Sequence, residues 1–531
     1  MAIFLRIAVF SIIFLGGAWP ALADLKIFIT TDVHGQVAEE LAKGRIGYAR
    51  LKALADAAAE AGNTVFLMDS GDAFSGSAYA QADHGRFIAE LMGLMGYRVL
   101  TPGNHAFDYN DIEDNPLYYS EVLLKTVRAN KNGTLEVVAE NLSFNGRELP
   151  GVSRAPVIVY DETAKKPDGV RLIVTGLITP YTSRPSLQNH LKGYDFGLLE
   201  SPAATREKIL AGLGESLKPY TRPRDVVIVL SHLGEPEPEG GREGRLNGAD
   251  VASVPNVDFV ADGHTHKAIA PHRVGEAFYG NGGRYLESFL EITIGDDGGR
   301  GWMELKTYDD LAGLAPDRLI AEKVAEFGHR QGLAEIILEL PDFFSDQNLR
   351  TENIALGRLI CSAMIRAVGA DMAFHNNGGI RAGLPAGPVN ARDLFDVLPF
   401  GDELAVVNLS GREILERFGQ GSDRGGLGRG WPQFYGLKVY AWRGKNGELT
   451  VAGLKNANGA PLDLDRHYRV AMNGFMARFL DRPAEKHGEM IEALRRELKS
   501  GFNFEELRPN RSLFVFATRK EAQTALETDG P

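Results

Sequence analysis

Between Leu25 and about Leu305 the chain repeats one pattern: a short apolar run, an abrupt stop, and Asp, His or Asn where the run ends. The clearest runs are Leu25–Thr30, Thr64–Met68, Val99–Pro102, Arg171–Thr179, Val226–Leu230 and Val257–Ala261. Runs that are apolar throughout belong to strands covered on both faces, and covering both faces requires layers outside the sheet. Between the first two runs, Tyr48–Ala61 is rich in Ala, Leu and charged residues and reads as a helix. The pattern predicts a layered α/β domain whose chemistry lies in the loops at strand ends.

Five of those ends carry ligand-type side chains: Asp32-Val33-His34, Asp69-Ser70-Gly71-Asp72, Gly103-Asn104-His105-Ala106-Phe107-Asp108, Ser231-His232 and Gly263-His264-Thr265-His266. In extended backbone, residues two apart face the same way, so Asp32 with His34, and His264 with His266, are expected to aim at one spot. Oxygen donors with imidazoles and no thiolate suit Zn, Mn, Fe or Co. Asp32, His34, Asp72, Asn104, His232, His264 and His266 are more ligands than one ion needs. A pair of divalent ions sharing Asp72 accounts for the number, and such pairs, about 3.5–4 Å apart, serve phosphoester hydrolysis. Taken singly, each residue reads as ordinary turn chemistry.

The ends of the chain set further limits. Met1–Ala23 has one basic residue, Arg6, the apolar stretch Ile7–Gly17 and a small-residue Ala21-Leu22-Ala23 site, the pattern of a signal peptide, so residues 1–23 are expected to be removed and the protein to be periplasmic or secreted. A retained anchor is the competing reading, but the stretch is short for a span of about 20 residues. No stable membrane anchor is expected after cleavage. The single cysteine, Cys361, excludes an intramolecular disulfide and a cysteine metal cluster. A formal net charge of −12 disfavours polymeric nucleic acid as a partner, whereas a small anionic substrate remains compatible with a local metal centre or a few arginines. At 531 residues the chain exceeds what one core fills. We expect a first domain over 24–310, a helical linker and hinge over 311–346 centred on Pro316–Leu338, a second domain over 347–520, and a polar tail over 521–531. Gly421–Gly430 reads as a surface turn.

The ordered set of five blocks resembles the calcineurin-like metallophosphoesterases. The second half adds Leu356-Gly357-Arg358, Asn376-Asn377-Gly378-Gly379-Ile380-Arg381, Pro399-Phe400-Gly401-Asp402 and Asn473-Gly474-Phe475 with Asp481 beyond it. Together they resemble the 5′-nucleotidase family over nearly the whole mature chain. That resemblance implies a four-layer α/β sandwich followed by an α/β substrate-binding domain. It implies one ion held by Asp32, His34, Asp72 and His266 and a second by Asp72, Asn104, His232 and His264. It also implies His105, oriented by Asp108, as the catalytic group acting on the phosphate, with a metal-bridging hydroxide as nucleophile. Ala106 departs from the acidic residue usual in its block.

For the substrate, the resemblance implies a small-molecule nucleotide. Phe400 and Phe475 would clamp the base, Arg350, Asn377, Gly379 and Arg381 would line the phosphate and ribose region, Asp481 would take the ribose hydroxyls, and Asp402 the base edge. Phe479-Leu480 stands where the family usually has two glycines. Removal of 5′-phosphate is the expected reaction. Alternatives are 2′,3′-cyclic-nucleotide and 3′-nucleotide hydrolysis, nucleotide-sugar hydrolysis, and, from another class, an inactive nucleotide-binding protein. The sulfur-specific branch typically replaces the histidine kept here as His105.

Overall fold

The computed structural model describes residues 24–528 except 111–114, 131–132, 183–190, 236–243, 296–300, 350, 420–431, 445–448, 481, 502–503 and 508–511. The expected signal peptide, the Gly421–Gly430 turn, Arg350 and Asp481 therefore lie outside the described residues.

Two six-stranded sheets face each other in the first unit. One runs in the order Trp302–Thr307, Ser288–Ile294, Leu25–Thr30, Thr64–Asp69, Tyr97–Leu100, Glu136–Val137. The other runs Ala268–Val274, Ala277–Gly282, Phe259–Asp262, Asp225–His232, Arg171–Ile178, Val157–Asp161. Strand periodicity divides the side chains between layers. Ile27 and Ile29 join Met68, Leu172, Ile228 and Leu230 between the sheets, while Phe28 and Leu67 face outward onto Leu51 and Leu91 of the helices Gly47–Glu60 and Arg86–Met95. On the far side, Ile173, Val227 and Val229 meet Ile209 and Leu213 of the helix Pro202–Leu217. This is the helix–sheet–sheet–helix sandwich expected from the resemblance.

Parallel pairing brings the strand ends together. Thr30 is in register with Asp69, Asp69 with Leu100, and in the second sheet Ile178 with His232. The loops that follow thus leave from one rim.

Three expectations need correction. The helix expected over Pro316–Leu338 ends at Arg330; Ile336–Leu340 is a strand paired antiparallel with Gly387–Asn390. The β-branched pair Ile336-Ile337, after the turn at Gly332, suits a strand better than a helix. The helix Arg318–Arg330 is also packed on the first unit, burying Ile320, Val324 and Phe327, with Phe327 stacked on Phe87 at 3.9 Å. This part of the expected linker therefore belongs to the packing of the first unit. Finally, most of the polar tail expected over 521–531 falls in the helix Arg519–Thr528, which buries Ala522 and lays Arg519 over the Trp442 ring.

The second unit has a five-stranded sheet, ordered Gln433–Tyr435, Met372–His375, His467–Asn473, Glu403–Ser410, Glu485–Glu489, backed by the helix Ala355–Val368. A smaller sheet joins Leu449–Asn456, Leu437–Arg443 and Leu513–Phe516. The apolar cluster outside the first sheet continues through Phe327 into Leu356, Leu359 and Leu394 of the second unit.

A polar contact reinforces that junction. Asp396, on the helix Ala391–Val397, accepts from Gln36 (2.7 Å), Lys43 (3.2 Å) and Arg45 (3.4 Å) of the first unit. Arg392, on the same helix, donates to Glu40 at 2.5 Å.

Candidate active site

Convergence of the ligand-type residues does not come from strand alternation. The first strand ends at Thr30, and Asp32, His34, Asp72, His264 and His266 all sit in loops with φ between 47° and 78°. Left-handed backbone at non-glycine residues stores strain and persists only where the surroundings enforce it. Here the loops enforce it on each other: Asp32 N donates to Gly71 O, and His34 N to Asp72 O, both at 2.9 Å. Glycines permit the approach. A Cβ on Gly263 would overlap Thr31 Oγ1 and stand 2.6 Å from Asp32 Oδ2; one on Gly103 would overlap the Asp72 carboxylate.

Two groups of ligand atoms result. Asp32, His34 and His266 form one; Asp32, Asp72 and His232 form the other. Asp32 is common to both groups, its Oδ1 3.9 Å from His34 Nε2 and from His232 Nε2, and Asp72 Oδ2 lies 3.0 Å from His232 Nε2 and 3.9 Å from His34 Nε2. Asn104 Oδ1 and His264 Nδ1 are 2.7 Å apart, with the His264 and His232 rings 5.4 Å apart. All seven predicted ligands are therefore gathered at one rim.

The donor set fits divalent cations. His34 Nδ1 lies 3.0 Å from Ser75 O and His232 Nδ1 2.8 Å from Ser70 O, which assigns the proton to Nδ1 and leaves Nε2 as a ligand atom in each. His34 Nε2 lies 3.1 Å from His266 Nε2, and the buried Asp32 Oδ1, 3.4 Å from His266 Nε2, has no hydrogen-bond partner. Three converging acceptor positions with at most one proton among them call for positive charge. The field agrees. Burial opposes a charged His232, but Asp72 and Asp32 outweigh it and push its pKa up to about 10, so that without a cation these carboxylates hold a proton on Nε2 in its place. Burial pushes His34 and His264 down to about 3, keeping both imidazoles neutral.

His105 stands apart from these ligands. Its Nδ1 is 2.7 Å from Asp108 Oδ2, and its backbone N–H donates to Asp72 Oδ1 at 2.8 Å. Burial works against its charge, yet Asp108 and Asp72 raise its pKa to about 9. Ala106, which takes the place of the acidic residue usual in this block, is buried.

The second unit reaches this rim. Phe400, 41% exposed, lies with its ring centroid 6.0 Å from that of His105 at an interplanar angle of 29°. The Arg381 guanidinium sits 5.7 Å from the Phe400 ring. Asn377 and Gly379 are buried in the short turn Asn377–Gly379, and a Cβ on Gly379 would meet His375 at 2.6 Å. Asp402, half-buried, accepts from Asn473 Nδ2 at 2.8 Å, and burial lifts its pKa to about 6. Asn473 in turn caps the short helix Gly474–Ala477 that carries Phe475. Phe475 pairs edge-on with Phe479 at 5.2 Å, while Leu480 is buried in the second core.

Sequence reading missed the carbonyls of Ser70 and Ser75, because backbone atoms leave no residue-type signal. It also missed Tyr285, whose ring lies against His34 and His266.

Two family models match in tandem: calcineurin-like phosphoesterase over residues 25–268, and the 5′-nucleotidase C-terminal domain over residues 332–483. The fold and site define a calcineurin-like, metal-dependent phosphoric monoester hydrolase. With its second unit, the chain belongs to the 5′-nucleotidase family. It is similar to a 5′-nucleotidase of Vibrio cholerae, 24% identical over 516 residues and 86% of each chain. It is also similar to the trifunctional nucleotide phosphoesterase protein YfkN of Bacillus subtilis, 26% identical over 87% of this chain but only 32% of that protein. A crystal structure of a 5′-nucleotidase precursor from Thermus thermophilus shares the fold, with a TM-score of 0.64 at 23% identity, covering 93% of this chain and 100% of that one. Among the described residues, no helix is long and apolar enough to cross a membrane.

Proposed function

We propose that the protein is an exported two-metal phosphohydrolase that removes the 5′-phosphate from nucleoside monophosphates. Asp32, His34, Asp72 and His266 would hold one divalent ion, and Asp72, Asn104, His232 and His264 the other, with Zn, Mn, Co or Fe as the metal. When bound, the ions supply Lewis-acid charge and a nucleophile at neutral pH. The chain's own residues do the rest.

The observation that carries this reading is the pairing of His105 with Asp108 beside the ligand cluster and directly under Phe400 of the second unit. Asp108 accepts from Nδ1 and so directs the His105 Nε2 proton toward the cleft, where it can donate to a phosphoryl oxygen as charge grows there. Phe400 offers a stacking face for a base a short reach from that phosphate, and Arg381 brings a planar guanidinium to the same side. A substrate phosphate on one unit with its base on the other makes nucleotides, rather than simple phosphate esters, the fitting class. Phe479 widens the aromatic wall beside Phe475, which sets the base preference of this chain.

A substrate panel tests the reading. Phosphate release from 5′-, 3′- and 2′,3′-cyclic nucleotides and from nucleotide sugars should be highest for the 5′-monophosphates. A profile led by cyclic or 3′-substrates would move the chain to that branch. Phe479→Gly should alter the ranking among bases with little change for one small phosphate ester.

A further inference from the structure

Tyr285 lies in the loop between the strands Ala277–Gly282 and Ser288–Ile294. Its φ is 56°, and that of Leu286 is 54°, so two successive non-glycine residues occupy left-handed backbone. Such a placement is strained and points to an enforced position. The enforcement is visible. Tyr285 N donates to Asp32 O at 2.8 Å, Ile46 N donates to Leu286 O at 2.9 Å, and the Leu286 side chain is buried.

What the strained loop delivers is an aromatic ring against two histidines. The Tyr285 centroid lies 6.0 Å from that of His34 and 5.8 Å from that of His266, at 66° and 63°, and the two histidine rings are 5.0 Å apart at 64°. Three rings thus meet edge to face in pairs, a favoured aromatic geometry. The guanidinium of Arg45 packs 5.2 Å from the tyrosine ring and that of Arg284 5.0 Å. Arg45 is buried and tied to Glu40, to Gln36 and, across the junction, to Asp396 of the second unit.

We propose that Tyr285 is a positioning residue: its ring wedges the His34 and His266 imidazoles into the orientation in which their Nε2 atoms converge, and Arg45 braces that wedge from the domain junction. The inference rests on reading Asp32, His34 and His266 as ligands of one ion. His34 has a carbonyl on its other nitrogen to fix its ring, while among the described residues no hydrogen bond reaches the His266 Nδ1, so packing must orient it. Supports of ligands commonly change metal affinity by about 10–100-fold.

The test is competitive titration of the metal-free, full-length protein with Mn²⁺ against a chelator, alongside thermal melting of the metal-free forms. Tyr285→Gly and Tyr285→Asn both tolerate left-handed backbone, so each removes the ring while keeping the loop path. The expected result is a 10–100-fold weaker affinity at one class of site and an unchanged second class, in metal-free forms that still melt in one cooperative transition. Tyr285→Phe, which keeps the ring, should bind as the parent does. Unchanged affinity in both ring-deleted variants would overturn the inference, as would a Tyr285→Phe variant as weak as Tyr285→Gly. Failure of the parent protein to take up Mn²⁺ would instead remove the metal reading beneath it.

Discussion

The junction between the units rests on Asp396, and Asp396→Asn isolates its charge. Three donors reach the carboxylate. Lys43, whose side chain is 40% exposed, contributes as a surface pair does, about 0–1 kcal/mol. Arg45 differs: both it and Asp396 are 7% exposed, and stripping one partner from a buried pair costs about 3–5 kcal/mol. Glu40 remains 2.8 Å from Arg45, so that charge is not left alone, and the loss should fall to about 2 kcal/mol. Hydrogen–deuterium exchange measures it. At about 1.4 kcal/mol per tenfold, amides around 36–45 and 391–397 should exchange about 30-fold faster, with protection unchanged in the strand Asp225–His232. The pH dependence follows from the carboxylate. Burial would raise its pKa, but Arg45, Lys43 and Gln36 more than offset it and hold it below 3.8. The contribution is therefore fully present above about pH 4 and is lost as pH falls through the lowered value, so the parent should show the same local opening only in acid. Unchanged protection in the variant, or an equal loss in Asp225–His232, would refute the docking account.

Two other substitutions probe the site. Gly263→Ala places a Cβ into Thr31 and Asp32 and should cost at least about 100-fold in activity with metal present, measured by phosphate release, because a ligand shift of about 1 Å is enough for that loss. Phe400→Ala should raise KM for nucleotides by about 5–150-fold, the equivalent of about 1–3 kcal/mol of stacking, while a phosphate ester without a ring changes far less; equal effects on both would argue against a base contact.

The sandwich was legible because its strands are covered on both faces, so Leu25–Thr30, Arg171–Ile178 and their neighbours declare themselves as unbroken apolar runs. The ligand residues were legible for a related reason: hard donors placed where such runs stop have few other uses as a set. The way they converge was not. Alternation would have served for Asp32 and His34 in extended chain, but the loops are left-handed, and that conformation depends on bonds to Gly71 and Asp72, far along the chain. The end of the linker helix is not legible because the charged pattern of Arg318–Arg330 runs without a break toward Ile336–Leu340, whose strand character is decided by its partner Gly387–Asn390. Tyr285 carries no signal in sequence, since an aromatic after Gly-Gly-Arg is ordinary until the fold sets it on two histidines.

Phosphate release from a nucleoside 5′-monophosphate, followed as metal-stripped protein is titrated with Mn²⁺, tests the central claim most directly. Release should be absent in excess chelator, rise with two equivalents of metal, and fall by orders of magnitude in Asp72→Asn, whose carboxylate lies within 4 Å of both His34 and His232. A metal-loaded protein that releases no phosphate from any nucleotide, or one equally active in chelator, would contradict it.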